Sequence, residues 1–439
     1  MTSVNSTMDQ HSYLPNRGKL ATCIISGLII CFIGLLVPQT GLSQSSGFDE
    51  KAEAFISPYM HYSAFNGCIL LAKDGEIKYE KCLGFQDQDK GIKNSTLTKF
   101  RIGSLTKNYT EAGIFLLVQS GKLKLNQSLD SYLPDLPNAE KITINHLLNH
   151  RSGIRNISSL PEYNNLAKKE YSTKDAYELV KQLPNDFKPG SKRQYSNSGY
   201  IVLARLIEKV TGKSFADYMS QSIMAPFGLQ NTSFESRPSH LAQGYIEDPQ
   251  STGLIKSQYW HPSIKVGGGN ISATTRDVFQ FFSTYFQSQP ASSRASPVSR
   301  YQGNTPGYTS IVIRHHAADL TVVVLANNES WSSWSLGSSL AKIYLGHQIQ
   351  PFDIENVQNL SSEELQAYQG DFKAGRLVFS TYLNGEQLIM HGTKNGRTHK
   401  LFPYGKASFF CPLYWSILTF KRRKNGSYDK EVKWTDVAR

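Results

Sequence analysis

The chain has 439 residues, 39% of them hydrophobic and 19% charged, with a formal net charge of +12. At roughly 150 residues per domain, this length implies two or three folded units, and the composition excludes a disordered chain. The Lys and Arg residues are scattered rather than gathered, which argues against nucleic acid as a partner; the one dense run, Lys421 to Lys424, adjoins Asn425-Gly426 and reads as a solvated hairpin end.

Arg17 and Lys19 precede an uncharged apolar run from Leu20 to Val37. Its length is at the lower end of the roughly 17–25 residues that a spanning helix needs. Basic residues before such a run hold the N-terminus in the cytoplasm, so everything after Val37 is expected to be exported. Gly41 and Ser43 also permit a signal-peptide cut before Gln44. The long lead and long apolar core favour a retained anchor. Residues 1–44 are therefore read as a cytoplasmic lead with a signal or membrane anchor.

Next comes a hairpin, with strands at Cys68 to Ala72 and Ile77 to Tyr79 around Asp74-Gly75. Cys68 and Cys82 flank that turn. A disulfide between them requires an oxidising compartment, and two free thiols is the default reading. Cys23, Cys31 and Cys411 complete the set of five cysteines. None has CxxC or Cys/His spacing, so no metal is expected.

A helix is expected from Leu105 to Gln119, stopped by Ser120-Gly121, and a short one from Ile144 to Asn149. Tyr200 to Thr211 has a wide apolar face and ends at Gly212. Asp277 to Tyr285 reads as helix, Ser310 to Ile313 and Leu320 to Leu325 as strands, and Trp334 to Leu345 as helix. His146, His150, Trp331 and Trp334 read as packing residues. This order predicts an α+β fold: an antiparallel sheet flanked by helices, with an all-helical region inserted between its first and last strands. That body spans residues 49–347. A linker follows at 348–361. Residues 362–439, punctuated by Asn384-Gly385, Asn395-Gly396 and Asn425-Gly426, predict a small all-β domain.

Three stretches can carry chemistry. Ser104 and Lys107 form S-x-x-K, and residues three apart share a helix face. Ser104 follows the extended stretch Thr98 to Gly103 and opens its helix, where free N–H groups favour an oxyanion. A second S-x-x-K, Ser339 to Lys342, sits mid-helix and lacks that setting. Tyr195 and Asn197 are two apart in a loop and face the same way. A phenol beside an ammonium is expected to favour its phenolate, which suits a proton shuttle for Ser104. Asn197 can orient Lys107 or bind a substrate amide. Tyr301 to Tyr308 is rich in Gly and Pro. As an edge strand it permits close approach of a substrate, and the N–H of Asn304 with that of Ser104 makes an oxyanion hole. Each stretch alone reads as well as an ordinary cap, core tyrosine or turn.

Taken together and in order, these elements resemble the class C β-lactamase-related and penicillin-binding-protein-like serine hydrolases. The likeness extends to Ile142 to Gly153, Pro189-Gly190, Pro226 to Leu229, Gly267 to Gly269, Thr274 to Asp277 and Thr305 to Tyr308. It covers residues 49 to 347, and the tail is similar to small β domains appended to such hydrolases. The resemblance implies a β-lactamase/transpeptidase-like fold. It implies Ser104 as nucleophile, Lys107 and Tyr195 as the activating pair, and Asn197, Tyr301, Gly303 and Asn304 as substrate-binding residues. It implies no cofactor and a small-molecule or peptide substrate. The family's third motif is Lys-x-Gly or His-x-Gly, whereas this chain has Tyr301-Gln302-Gly303. The segment from Ser283 to Arg300 is also short, where the family has a strand entering the site. The expected function is hydrolysis of esters or amides, including cell-wall D-amino-acid peptides, through an acyl-enzyme. The alternative is an impaired member that binds a cell-wall peptide or a protein partner.

Overall fold

The computed structural model describes residues 42–248, 253–288, 296–393, 396–405, 407–423 and 428–437. The apolar run from Leu20 to Val37 lies outside these residues. Among them, no helix is long and apolar enough to cross a membrane.

The central sheet has five antiparallel strands: β1 (Gly67–Lys73), β2 (Glu76–Leu83), β3 (Val298–Thr305), β4 (Tyr308–His315) and β5 (Leu320–Ala326). Their order is β2-β1-β5-β4-β3, so the N-terminal hairpin closes on the C-terminal strands, as the sequence implied. Asp74 (φ 54°) and Gly75 (φ 82°) turn the first hairpin with both residues left-handed, the conformation a two-residue hairpin turn requires. Cys68 and Cys82 are directly opposed across that hairpin and joined as a disulfide, with Cα atoms 4.0 Å apart. The default of two free thiols is corrected: strand register, rather than sequence spacing, sets the sulfur atoms together.

Both faces of the sheet are covered, so the middles of its central strands carry apolar residues toward both sides. Leu70, Val312, Val323 and Leu325 face the helical region, together with Tyr200, Leu203 and Phe281. Ile69, Leu71, Ile311, Val322 and Val324 face the other way, onto α1 (Leu42–His61) and a C-terminal helix, Ser332–Tyr344. Strand alternation thus feeds two separate cores. Trp334 packs in the second core as expected, whereas Trp331 is 38% exposed and is no packing residue.

The inserted helical region holds α2 (Thr106–Gln119), α3 (Ser198–Thr211) and α4 (Thr275–Ser288). Each observed helix overlaps its predicted span; α3 ends at Gly212, whose left-handed conformation (φ 70°) lets its N–H reach the Glu208 carbonyl. The edge strand expected at Tyr301 to Tyr308 is present as β3, Val298–Thr305.

Beyond the linker, seven strands from Gly370–Ala374 to Lys433–Asp436 form an antiparallel meander. Lys373 of the first strand bonds the backbone of Lys430 (2.7 Å) and Val432 (2.8 Å), which curls the sheet nearly closed. Gly385 makes one of the expected turns, while residues 395 and 424–427 lie outside the description. This domain also completes the second core of the body. Trp415 stacks on Tyr59 with ring centroids 3.4 Å apart, and Phe410 stacks on Phe352 at 3.9 Å. Trp415 is 1% exposed. Trp415→Ala should therefore destabilise the whole chain by about 3–5 kcal/mol, measured by urea unfolding, and not merely loosen the tail.

Candidate functional site

The site is built where a short strand becomes a helix. Phe100–Arg101 pairs with Ser272–Ala273, and the Ile102 N–H bonds the Ile271 carbonyl at 3.0 Å. Gly103 then turns with φ 52°, and Gly103–Leu105 forms a 3-10 turn ahead of α2. Ser104 thus stands at the N-terminal tip, and Leu105, fully buried, fixes the turn from below. Mid-helix Ser339, by contrast, is sealed in the second core region with a buried hydroxyl.

One turn beyond Ser104, at the start of α2, Lys107 is 6% exposed. Its Nζ lies 3.2 Å from Ser104 Oγ, 2.8 Å from Asn197 Oδ1 and 2.7 Å from the Gly268 carbonyl. The segment Gly267 to Ile271 runs along this helix face. Thr110 donates to the Gly267 carbonyl (2.7 Å), and Thr106 accepts from the Ile271 N–H (3.3 Å). Gly267 has φ 72°, and a Cβ there would meet the Tyr200 carbonyl oxygen at 2.6 Å. Burial brings the Lys107 amine down to about 7.

Tyr195 comes from the loop entering α3. Its hydroxyl lies 2.6 Å from Ser104 Oγ and 3.4 Å from Asn197 Oδ1. The residue is 44% exposed, so its ring edge faces solvent while its hydroxyl points into the crowded corner. Burial there raises the phenol, opposed by the Ser104 hydrogen bond and the Arg193 charge. The expected phenolate beside Lys107 is thus corrected. Desolvation outweighs any attraction, because Lys107 itself is pushed toward its neutral form.

His150 packs against the Tyr195 ring at 4.6 Å and accepts from the Ser196 N–H at 3.3 Å. Burial, then the Lys107 charge, lowers it to about 3, so it is a neutral prop, in keeping with its reading as a packing residue. Asn197 is held on both sides: its Nδ2 donates to Ser158 Oγ (3.0 Å) and its backbone N–H to Asn156 Oδ1 (3.0 Å). With Oδ1 on Lys107, it is placed to orient that amine.

The edge strand β3 brings Gly303 and Asn304 to the same corner. A Cβ on Gly303 would overlap the Ile102 carbonyl oxygen and stand 2.9 Å from the Ser104 N. A Cβ on Gly103 would stand 2.7 Å from the Asn304 N. Both glycines are required by this close approach. Asn304 pairs with Thr309 next to a two-residue turn, in the non-hydrogen-bonded position, so its N–H points off the sheet. The Asn304 N and the Ser104 N thus both lie at the contact between β3 and the Gly103 turn. Tyr301 does not join them there. Its ring lies in an aromatic cluster, 5.1 Å from Phe282, 5.7 Å from Phe286 and 6.4 Å from Tyr285.

Of the seven residues singled out in the sequence, Ser104, Lys107, Tyr195, Asn197, Gly303 and Asn304 converge. The Gly268 carbonyl, Ser158 and Asn156 were missed as partners. Three consecutive glycines were the available signal for the first of these; the other two carry none. Among the described residues, no group of three His, Cys, Asp or Glu is placed to hold a metal.

The family model described as Beta-lactamase matches residues 52–335, and the chain belongs to that family of serine hydrolases. Penicillin-binding protein 4* of Bacillus subtilis is 27% identical over 79% of this chain and 88% of its own. Teichoic acid D-alanine hydrolase of Staphylococcus aureus is 34% identical, over 51% of this chain and only 55% of that protein. Among solved structures, the octameric penicillin-binding protein homologue from Pyrococcus abyssi superposes with a TM-score of 0.61 at 19% identity, over 88% of this chain and 98% of its own. D-amino acid amidase of Ochrobactrum anthropi gives 0.58 at 21% identity, over 68% and 98%. At such identities the structural matches establish the fold alone.

The environment of Lys107 is directly measurable. Among the described residues three lysines are held below the usual range by burial: Lys107 at about 7, Lys265 at about 8, and Lys400 in the C-terminal domain. Carbon NMR of lysine-labelled protein should show a titration near 7, and Lys107→Met should delete it.

Proposed function

We propose that this chain hydrolyses esters or amides through an acyl-enzyme on Ser104. The observation that supports this best is the set of partners around Lys107 Nζ. Two of its three neighbours, the Asn197 Oδ1 and the Gly268 carbonyl, only accept. A neutral amine spends its two protons on them and keeps its lone pair for Ser104. Near neutral pH that form is well populated.

In the first step the Ser104 hydroxyl proton passes to Lys107 as Oγ bonds the substrate carbonyl carbon. The carbonyl oxygen takes the negative charge, facing the N–H groups of Ser104 and Asn304. Collapse breaks the bond to the leaving group, which takes the Tyr195 phenol proton. Tyr195 is kept protonated by its raised affinity. Lys107, whose Nζ lies 4.9 Å from the phenol ring centroid, returns a proton to it. Water then attacks the Ser104 ester under the same groups and releases the acid.

The relatives named for teichoic acid D-alanine hydrolysis and for D-amino acid amides support esters and amides of this kind, cell-wall D-amino-acid peptides included. The apolar run behind Arg17 and Lys19 supports a place outside the cytoplasmic membrane, reached by anchor or signal. The Cys68–Cys82 disulfide supports an oxidising compartment. A second reading, an impaired member that binds a peptide or protein, is favoured by one observation: Tyr301, where the family resemblance calls for a base, is consumed by aromatic packing.

Labelling with a fluorophosphonate, read by mass spectrometry, separates the two. One adduct on Ser104, absent in Ser104→Ala, is the expected result; folded protein without any adduct refutes the hydrolase. Lys107→Met and Tyr195→Phe should each lower kcat/KM about 100-fold or more. Because the base form of Lys107 is required, kcat/KM should rise with pH and level off above about 7, where the amine is neutral.

A further inference from the structure

A second lysine borders this site. Lys265 ends the short 3-10 turn Pro262–Lys265 just before Gly267, and its stem covers Gly269. A Cβ on that glycine would stand 3.2 Å from Lys265 Cδ, 3.4 Å from Lys265 Cβ and 3.8 Å from the Gly103 carbonyl carbon. The side chain therefore runs beside the turn that carries Ser104. Its Nζ sits 5.2 Å from the Trp260 ring and 5.7 Å from the Tyr163 ring, which meet edge to face at 5.2 Å.

The contrast with Lys107 is informative. Lys107 has three hydrogen-bonding neighbours, whereas Lys265 is held by two aromatic faces. Among the described residues, no carboxylate lies within 4 Å of its Nζ. A half-buried cation with aromatic walls and no counter-ion attracts an anion more strongly than a solvated one does. Burial first, then repulsion by Lys107, draws its amine down to about 8, with Glu329 a weaker opposing influence. An incoming anion would relieve that repulsion.

We propose that Lys265 selects the substrate by binding an anionic group, a carboxylate or a phosphate, on the molecule whose scissile carbonyl lies at Ser104. This rests on the hydrolase reading above. It supplies from the Gly267 loop the cation that Tyr301 does not supply from β3.

Two measurements test this. The first is kcat/KM on phenyl acetate, on 3-carboxyphenyl acetate (anion on the leaving group) and on phenyl hemisuccinate (anion on the acyl group). In Lys265→Met the preference for an anionic over the neutral ester should fall about tenfold or more, the effect of losing one charge-assisted hydrogen bond, and Lys265→Arg should retain most of it. The arm that falls tells which side of the substrate Lys265 serves; unchanged ratios in both arms overturn the proposal. The second needs no turnover. Ser104→Ala protein is titrated with succinate and, separately, with inorganic phosphate at constant ionic strength, while Trp260 emission is followed against a Trp260→Phe control. Saturable quenching that disappears in Ser104→Ala/Lys265→Met supports the proposal and identifies the anion. No saturable response to either anion, or one that survives loss of Lys265, overturns it. A wild type that turns over no ester at all removes the hydrolase reading and leaves this second result to decide on Lys265.

Discussion

Everything at the site depends on keeping one lysine amine out of water. A buried ammonium is costly, and among the described residues no carboxylate pairs with Lys107 to offset it. Its neighbours are a side-chain carbonyl, a backbone carbonyl and a serine hydroxyl. Those partners can accept every proton of an ammonium but bring no negative charge to balance it, so the neutral amine gains from burial. Burial thus does more than shift an equilibrium. It assigns directions to the protons, because carbonyl oxygens cannot donate.

The same constraint explains the rest of the corner. Asn197 must present its oxygen to Lys107, so its nitrogen is anchored by Ser158, and its backbone by Asn156. Gly268 must present its carbonyl, so the backbone passes within reach of α2, and side chains at Gly267 would collide with α3. Tyr195 closes the remaining side, propped by the His150 ring. Each of these groups comes from a different segment. The centre therefore exists only when the inserted helical region is folded against the sheet.

How much of this was readable in the sequence follows from the range of the interactions. Local periodicity placed α2, α3, β4 and β5, because each buries one face or both in a way that sequence spacing records. The S-x-x-K pair was readable because three residues along a helix share a face. Tyr195 had a better local setting than Tyr163, since it follows Pro189-Gly190 and leads into a strong helix, but its convergence with Ser104 and Asn304 was legible only through family likeness. Long-range partners left weaker traces still. Cys68 and Cys82 looked like two unremarkable cysteines until strand register opposed them. Tyr195 was expected to ionise because proximity to Lys107 was weighed without desolvation. Ser158, Asn156 and Lys265 are polar residues in or capping short 3-10 turns, and their meaning is entirely in what folds against them.

The C-terminal domain links the second core to this corner. Its Arg397 pairs with Glu329 (2.6 Å), and the other carboxylate oxygen of Glu329 accepts the Gly307 N–H at 3.0 Å. Gly307 is the tip of the β3–β4 hairpin, three residues from Asn304. Edge strands are paired on one side only, so β3 has half the backbone bonds that hold β4 in place. A donor aimed at a developing oxyanion must be held to within a few tenths of an ångström. The hairpin tip is therefore where an outside brace has most effect on the site. The body carries Ser104 and Lys107, while the appended domain steadies the strand that carries Asn304. Its aromatic residues Phe410 and Trp415, sunk into the core behind the sheet, keep that brace from drifting.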